Sequence, residues 1–202
     1  KHQTLSIFDS ANSDRRPVMH RPGLHRRTRT VTMHGPVPAT PATRDLMTPP
    51  KTALTAAHVA AFRRDGYVHC PGLFTLAEVA EFAAWTATLA AAPDVPGGVM
   101  KYYEDSLLSG RGRILSRIEN FAPFHPGFAA LFDDPRLRGA CAQLFGEAAV
   151  LFKDKINFKL PGGAGFKAHQ DVQAGWNRYA RLHISALVCI DAATAQNGCL
   201  EL

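Results

Sequence analysis

The sequence predicts an α+β fold in which helices come first and antiparallel strands follow. Apolar residues recur at helical spacing through residues 55–146, between capping and stop signals. After Gly146 the apolar residues alternate with polar ones, which is typical of strands that bury one face. The chain has 202 residues, enough for one domain with a sizeable core. This order of elements favours a sheet or barrel at the C-terminal end of the domain.

Each predicted helix begins at a residue whose side chain can cap it and ends at a glycine or a proline. The start and stop residues are Thr55 and Gly66, Thr75 and Pro93, and Asp134 and Gly146. Thr75 is reinforced by Glu78, because the T-x-x-E spacing satisfies two backbone N–H groups reciprocally. The expected apolar stripes are Leu76, Val79, Phe82, Ala83, Thr86 and Leu89 on the second helix, and Leu137, Cys141, Leu144 and Phe145 on the third.

The alternating pattern after the last helix predicts strands separated by glycine-containing turns. In the first strand apolar residues occupy one parity, with Asp154 as the exception, and polar residues occupy the other. The polar positions are Lys153, Lys155, Asn157 and Lys159. Strands are expected at residues 150–160, 166–172, 182–190 and 199–202, with a short earlier one at residues 67–69 and turns at residues 161–165 and 197–198.

Residues 1–50 hold the basic character of the chain. They carry eight Lys and Arg against three Asp and Glu, whereas residues 51–202 carry fifteen against fourteen. The tail also holds seven of the fourteen prolines and shows no apolar period, so we interpret it as disordered. Salt-dependent nucleic-acid binding through this tail is an alternative. However, the tail has no aromatic residues interleaved with its basic ones, and it shows no recognition helix. We therefore expect no nucleic-acid partner and assign the folded domain to residues 51–202.

The composition predicts a cytoplasmic protein. The four cysteines form no C-x-x-C pair, and isolated cysteines in apolar surroundings are typical of a reducing compartment. No run of 18 or more apolar residues exists, so no membrane partner is predicted, and the N-terminal stretch lacks the apolar core of a secretory signal. Because the chain starts at Lys1 and stops at Leu202 within a strand-like pattern, we expect it to be a fragment.

The triplet His169-Gln170-Asp171 carries the strongest chemical signal in the sequence. On a strand, His169 and Asp171 would point to the same face and present an imidazole beside a carboxylate. These groups are two of the three ligands of the 2-His-1-carboxylate triad that binds Fe(II), and no thiolate nearby favours zinc. Taken alone, an H-x-D pattern also fits an exposed strand without a metal.

The motifs around this triplet resemble those of the phytanoyl-CoA dioxygenase family over about residues 55–202. The similarity lies in the order of the motifs, in the Pro-Gly-Gly turn before the triplet and in the Asn-Gly-Cys-Leu turn after it. The matching segments are residues 117–121 (RIENF), 153–163 (KDKINFKLPGG), 169–171 (HQD), 183–190 and 197–200 (NGCL). The combination of HQD with NGCL is fairly specific for this family, whereas the N-terminal helices are not.

The resemblance implies a double-stranded β-helix, or jelly-roll, core with helices packed outside it. It implies Fe(II) on His169 and Asp171, with 2-oxoglutarate and O2 as cosubstrates and ascorbate as reductant. It also implies that Arg117 and Lys155 hold the carboxylates of 2-oxoglutarate, and Asn157 shares the face of Lys155. The implied reaction hydroxylates an unactivated C–H bond of a small organic substrate and releases succinate and CO2. Halogenation is disfavoured, because Asp171 occupies the position that halogenating relatives vacate.

Alternatives stay open for several of these residues. Lys155 could lie on a solvated strand face, and Arg117 could form a surface salt bridge with Glu119 or Asp105. For the whole domain, a metal-free jelly-roll module that binds a small molecule without turning it over is the alternative function. An acyl-CoA, a small acid, a phosphonate and a natural-product scaffold all fit as the ligand of such a fold.

The family pattern also requires a second histidine ligand and an arginine that clamps the far carboxylate of 2-oxoglutarate. Both are expected beyond Leu202, so the fragment by itself is expected to be inactive. His183 is interpreted as core or as pocket lining. Trp176 and Tyr179 could form a lip for the substrate or could pack in the ordinary way.

Overall fold

One five-stranded antiparallel sheet organises the protein. The computed structural model describes residues 2–6, 54–169, 171–180 and 182–201 of the chain. The strands are β1 (His2–Ser6), β2 (Met100–Asp105), β3 (Arg113–Glu119), β4 (Lys155–Lys159) and β5 (Leu187–Cys189). Their order in the sheet is β2-β3-β4-β1-β5, and each neighbouring pair is antiparallel.

Four α-helices and four short 3₁₀ helices lie within the described residues. The α-helices are α1 (Ala56–Asp65), α2 (Leu76–Ala91), α3 (Pro126–Phe132) and α4 (Pro135–Phe145), and the 3₁₀ helices are Ala122–Phe124, Asp171–Ala174, Trp176–Arg178 and Ala195–Asn197. The predicted combination of helices with an antiparallel sheet is confirmed. The predicted order, helices first and strands after them, is wrong, because β1, β2 and β3 precede α3 and α4. Within the part of the chain that the structure describes, no helix has both the length and the apolar character needed to cross a membrane.

The core lies between the helices and one face of the sheet. Ile118 of β3 and Ile156 of β4 are fully buried, and they belong to one apolar cluster with Phe82 of α2, Phe128 of α3 and Leu137 of α4. The two isoleucines are register partners across β3 and β4, so they point to the same side of the sheet. The helices therefore cover this side of the sheet. The residues that flank each isoleucine along its strand point to the opposite side.

The predicted helix starts are confirmed. Thr55 and Thr75 each accept a hydrogen bond from a backbone N–H in the first turn, and Asp134 does the same for α4. The left-handed backbone at Gly66 and Gly146 ends α1 and α4, as expected of glycine after a helix. These signals act within one turn of the chain, which is why the sequence alone shows them.

One residue of the predicted stripe on α2 is not part of the core. Leu76 is 90% exposed, whereas Phe82, Thr86 and Leu89 are buried as predicted. Leu76 is the first residue of the helix, and the apolar cluster is contacted by later turns. The prediction of a buried Leu76 is therefore wrong.

Glu78 joins the beginnings of α2 and α4. Its carboxylate accepts hydrogen bonds from the backbone N–H of Thr75 at 2.7 Å and from Nη2 of Arg136 at 2.6 Å, and Arg136 also pairs with Asp134. The hydrogen bond from Arg136, followed by those from Thr75, lowers the pKa of Glu78 from 4.5 to about 2. A lowered pKa in the folded state means that the ionised carboxylate contributes stability above the unfolded pKa.

We expect Glu78→Gln to melt at a lower temperature than the wild type at neutral pH, and the difference should shrink as the pH falls. Glutamine keeps the capping-box acceptor but lacks the charge that pairs with Arg136. The wild-type advantage should be lost as the pH falls from about 4.5 towards 2, because the carboxylate is then protonated in both states. Thermal melts followed by circular dichroism measure this difference. Glu147→Gln, at an exposed residue after α4, is the control; a constant difference across this pH range would contradict the assignment.

The strand predictions hold only in part. The alternation is confirmed in β4, where Ile156 and Phe158 are buried and the residues between them are half-buried, but the strand is shorter than residues 150–160. In residues 182–190 only Leu187–Cys189 form a strand. No strand forms at residues 67–69, 166–169, 171, 172 or 199–201, so those predictions are wrong. Alternation shows which face a strand would bury, but a strand also needs a neighbouring chain to bond with.

The basic tail lies largely outside the described residues. Five of its residues, His2–Ser6, form β1, which pairs with β4 on one side and β5 on the other. The prediction of disorder for the rest of residues 1–50 falls outside the part of the chain that the structure describes. The same holds for Leu202, the last residue of the predicted strand at residues 199–202.

Candidate functional site

A polar face lies on β3 and β4, opposite the core. Arg117 is the register partner of Asn157, and Glu119 is the register partner of Lys155. Ile118, between Arg117 and Glu119, is fully buried, so these four side chains belong to the other side of the sheet. The structure therefore brings together three residues that the sequence predicted separately, Arg117, Lys155 and Asn157.

Two groups lie beside the guanidinium of Arg117. Its Nε lies at ion-pair distance, 3.0 Å, from Oε1 of Glu119 but without the geometry of a hydrogen bond, and its central carbon lies 4.2 Å from the centre of the Tyr102 ring on β2. The salt bridge with Glu119 that was left open as an alternative is therefore present, whereas Asp105 is the register partner of Arg113 instead. Such a pairing does not exclude ligand binding, because a guanidinium has two edges that can each hold a carboxylate.

Asn157 carries an unsatisfied polar atom. Its Oδ1 is buried and has no hydrogen-bond partner within the described residues. A buried polar atom without a partner costs free energy, so such atoms are rare and often mark a ligand position. Lys155, two residues before it on the same face, is half-buried and forms no recorded ion pair with a described residue.

The charges on this face favour an anionic ligand. Arg117, Lys153 and Lys155 contribute three positive charges, and Glu119 is the acid that pairs with the first two of them, at 3.0 and 3.1 Å. The net charge is therefore positive at neutral pH. A dianion such as a dicarboxylate would be attracted to it, and the half-buried position strengthens the attraction relative to open water.

Asp154 holds the end of β3 against the beginning of β4, a role that sequence reasoning missed. Its carboxylate accepts hydrogen bonds from the backbone N–H groups of Asn120 at 2.5 Å, Phe121 at 2.9 Å and Ala122 at 2.6 Å. Asp154 is only 5% exposed, and burial raises the pKa of its carboxyl although the three N–H donors oppose this change. The available signal was a charged residue at an apolar position of the alternating pattern.

The triplet does not lie on a strand. Asp171 begins the 3₁₀ helix Asp171–Ala174, so the expectation that His169 and Asp171 share a strand face is wrong. Gln170 and the side chain of Asp171 lie outside the described residues. Within the described residues, no group of three His, Cys, Asp or Glu side chains gathers to hold a metal.

His169 makes a ring hydrogen bond to a backbone carbonyl. Its Nδ1 lies 2.6 Å from the carbonyl oxygen of Lys167, which cannot donate, so Nδ1 is the donor. Histidines that bind metals commonly donate one ring N–H to a carbonyl and bind the metal through the other nitrogen. This imidazole, with the carboxylate that follows two residues later, fits Fe(II).

An aromatic cluster follows the triplet. His183 is 5% exposed, its Nε2 lies 3.1 Å from the carbonyl oxygen of Trp176, and its ring centre lies 4.9 Å from that of Phe152. Trp176 and Tyr179 each lie 5.7 Å from Phe152. The interpretation of His183 as a core or pocket residue is confirmed. Trp176 and Tyr179, for which a substrate lip and ordinary packing were both left open, pack against Phe152.

The chain matches proteins of related function. A family model described as Phytanoyl-CoA dioxygenase (PhyH) matches residues 62–202. A 2-aminoethylphosphonate dioxygenase from the uncultured bacterium HF130_AEPn_1 is 40% identical over 141 residues, and a methylphosphonate hydroxylase from Gimesia maris is 34% identical over 149 residues. The dioxygenase lolE1 from Epichloe uncinata is 30% identical over 156 residues.

These alignments include 70% to 75% of this chain. The chain itself spans 53% to 59% of the length of these relatives, a little over half. No solved structure matches the chain at a significant level. Since the family model matches well over half of the residues, including every motif between Arg117 and Leu200, the chain belongs to the phytanoyl-CoA dioxygenase family.

Proposed function

We propose that the protein is a non-haem Fe(II), 2-oxoglutarate-dependent oxygenase that hydroxylates a C–H bond of a small organophosphonate. The observation that carries the proposal is the positively charged face of Arg117, Lys153 and Lys155, beside which Asn157 lies. Membership of the family supports the iron and the cosubstrate. Two relatives named for phosphonate substrates support the substrate class. We also propose that the complete domain has a jelly-roll core and that the enzyme is soluble and cytoplasmic.

His169 and Asp171 would hold the iron, through Nε2 and the carboxylate respectively. The hydrogen bond from Nδ1 to the carbonyl of Lys167 selects the tautomer that His169 needs for this role and orients its ring. With iron held there, the site would supply oxidising chemistry that consumes 2-oxoglutarate and O2 and releases succinate and CO2, and ascorbate would keep the iron ferrous. The protein's own residues bind and orient the reactants.

The polar face would hold the carboxylates of 2-oxoglutarate. Arg117 offers a planar pair of N–H groups that matches a carboxylate, and Lys155 offers a point charge beside it. The amide of Asn157 can turn about its last bond, so that its nitrogen donates to a carboxylate oxygen. A cosubstrate held by three groups on two hydrogen-bonded strands keeps one orientation, which the reaction requires.

Succinate formation by the complete gene product tests this function. The protein is incubated with Fe(II), ascorbate and 2-oxoglutarate, and succinate is measured with 2-aminoethylphosphonate, with methylphosphonate and without a substrate. β-Alanine is the matched control, because it replaces the phosphonate group of 2-aminoethylphosphonate with a carboxylate. We expect a phosphonate to stimulate succinate formation and to yield a hydroxylated product, and β-alanine to do neither.

Two outcomes would contradict the proposal in different ways. If succinate forms but neither phosphonate stimulates it more than β-alanine does, the protein is an oxygenase and the proposed substrate class is wrong. Folded, iron-loaded protein that forms no succinate with any of these compounds would favour the alternative, a jelly-roll module that binds an anion without turning it over.

A further inference from the structure

Glu119 connects two cations that come from different parts of the chain. Its side chain is 9% exposed, Oε1 lies 3.0 Å from Nε of Arg117, and Oε2 lies 3.1 Å from Nζ of Lys153. A carboxylate this deeply buried requires partners, because an unpaired charge away from water is costly. Arg117 lies on β3, whereas Lys153 precedes β4, so the carboxylate bridges the two segments.

The contact with Glu119 decides which edge of Arg117 is left for a ligand. Glu119 meets the guanidinium at Nε, and the ring of Tyr102 lies against its face. The edge formed by the two terminal Nη atoms is therefore the one that can hold a second carboxylate side by side. Without Glu119 the guanidinium would keep its charge and its contact with Tyr102 but lose the carboxylate 3.0 Å from its Nε.

Lys153 extends this bridge towards the segment that carries the metal-binding motif. Its Nζ lies 5.6 Å from the centre of the Trp176 ring, and Trp176 follows Asp171 by five residues. Glu119 is thus linked on one side to Arg117 and on the other, through Lys153, to the chain that leaves the HQD triplet.

We propose that Glu119 is a positioning residue for the cosubstrate, which it orients through Arg117 and Lys153 without contacting it. The inference rests on the proposed function, since it concerns the same polar face. Direct contact is excluded by charge, because one carboxylate repels another. Glu119 also reduces three positive charges to a net two, which matches a dianion such as 2-oxoglutarate.

The test compares Glu119→Gln with Glu119→Asp in the complete gene product. Affinity for 2-oxoglutarate is measured by calorimetry on Mn(II)-loaded protein, where no turnover occurs, and KM and kcat are measured separately with Fe(II). Glutamine has the same shape without the charge, whereas aspartate keeps the charge on a shorter side chain. Asp133→Asn is the control, because it removes the charge from an exposed ion pair of similar length, at 2.8 Å from Arg138, in the connection between α3 and α4.

We expect Glu119→Gln to bind 2-oxoglutarate roughly tenfold more weakly, because a partly buried charged pair has lost one partner. KM for 2-oxoglutarate should rise by the same factor while kcat stays within about twofold, which indicates lost binding rather than lost chemistry. Glu119→Asp should recover part of the affinity. Asp133→Asn should bind like the wild type.

Three results would overturn the inference. If Glu119→Gln binds 2-oxoglutarate as tightly as the wild type, the positioning role of Glu119 is rejected and the proposed function is unaffected. The same is true if kcat falls together with the melting temperature while KM is unchanged, because that pattern indicates a purely structural role. A wild-type protein that does not bind 2-oxoglutarate would reject the inference and the proposed function together.

Discussion

Asp171→Ala is expected to lower succinate formation by more than ~100-fold and to weaken Fe(II) binding. Even groups that only contact a metal ligand change metal affinity or activity by roughly 10–100-fold when removed, and a direct ligand should count for more. As the proposed ligand, the carboxylate would supply one negative charge to the ferrous ion, whereas a methyl group supplies neither charge nor a lone pair. His169→Ala should behave similarly, since the imidazole is the other predicted ligand in this motif.

The measurement is iron bound per chain after dialysis, together with the rate of succinate formation. Asp191→Ala is the matched control, because it removes a carboxylate from the same third of the chain at a position with no predicted ligand role. The control should keep both iron and activity. An Asp171→Ala protein that retains either one would show that the triplet is not the metal site, and the carboxylate ligand would have to be sought elsewhere.

Asp154→Ala is expected to lower the free energy of unfolding by about 3 kcal/mol. The change leaves three backbone N–H groups, at Asn120, Phe121 and Ala122, without their acceptor in a buried part of the protein. Each unsatisfied buried donor costs roughly 1–3 kcal/mol, and local rearrangement that admits water recovers part of the sum. Asn120 also has a left-handed backbone with φ of 56°, a conformation that the three hydrogen bonds help to hold.

Urea unfolding of the complete gene product measures this loss. Asp154→Asn should cost less, because the amide keeps one acceptor oxygen while its NH2 group faces another donor. Asp133→Ala is the control, and we expect it to cost less than about 1 kcal/mol because its ion pair with Arg138 is exposed. An Asp154→Ala protein as stable as this control would show that the end of β3 is held in place by the apolar core alone.

The sequence by itself determined the features that depend on nearest neighbours. Thr55, Thr75 and Asp134 begin helices because each side chain meets a backbone N–H only two or three residues away. The alternation of Ile156 and Phe158 with polar residues in β4 follows from the two-residue period of a strand. The membership of the family was also readable, because the HQD and NGCL motifs are short and contiguous.

Only the tertiary structure decided which distant residues meet. Asp154 binds the backbone of Asn120, 34 positions earlier, and Glu119 pairs with Lys153 across the same gap between β3 and β4. Local patterns also predicted a strand at residues 166–172, whereas residues 166–169 form no strand and a 3₁₀ helix begins at Asp171. The physical reason is the same in each case: hydrogen-bond partners and buried charge pairs are set by the packing of separate segments, and a local pattern shows only which residues are suited to such contacts.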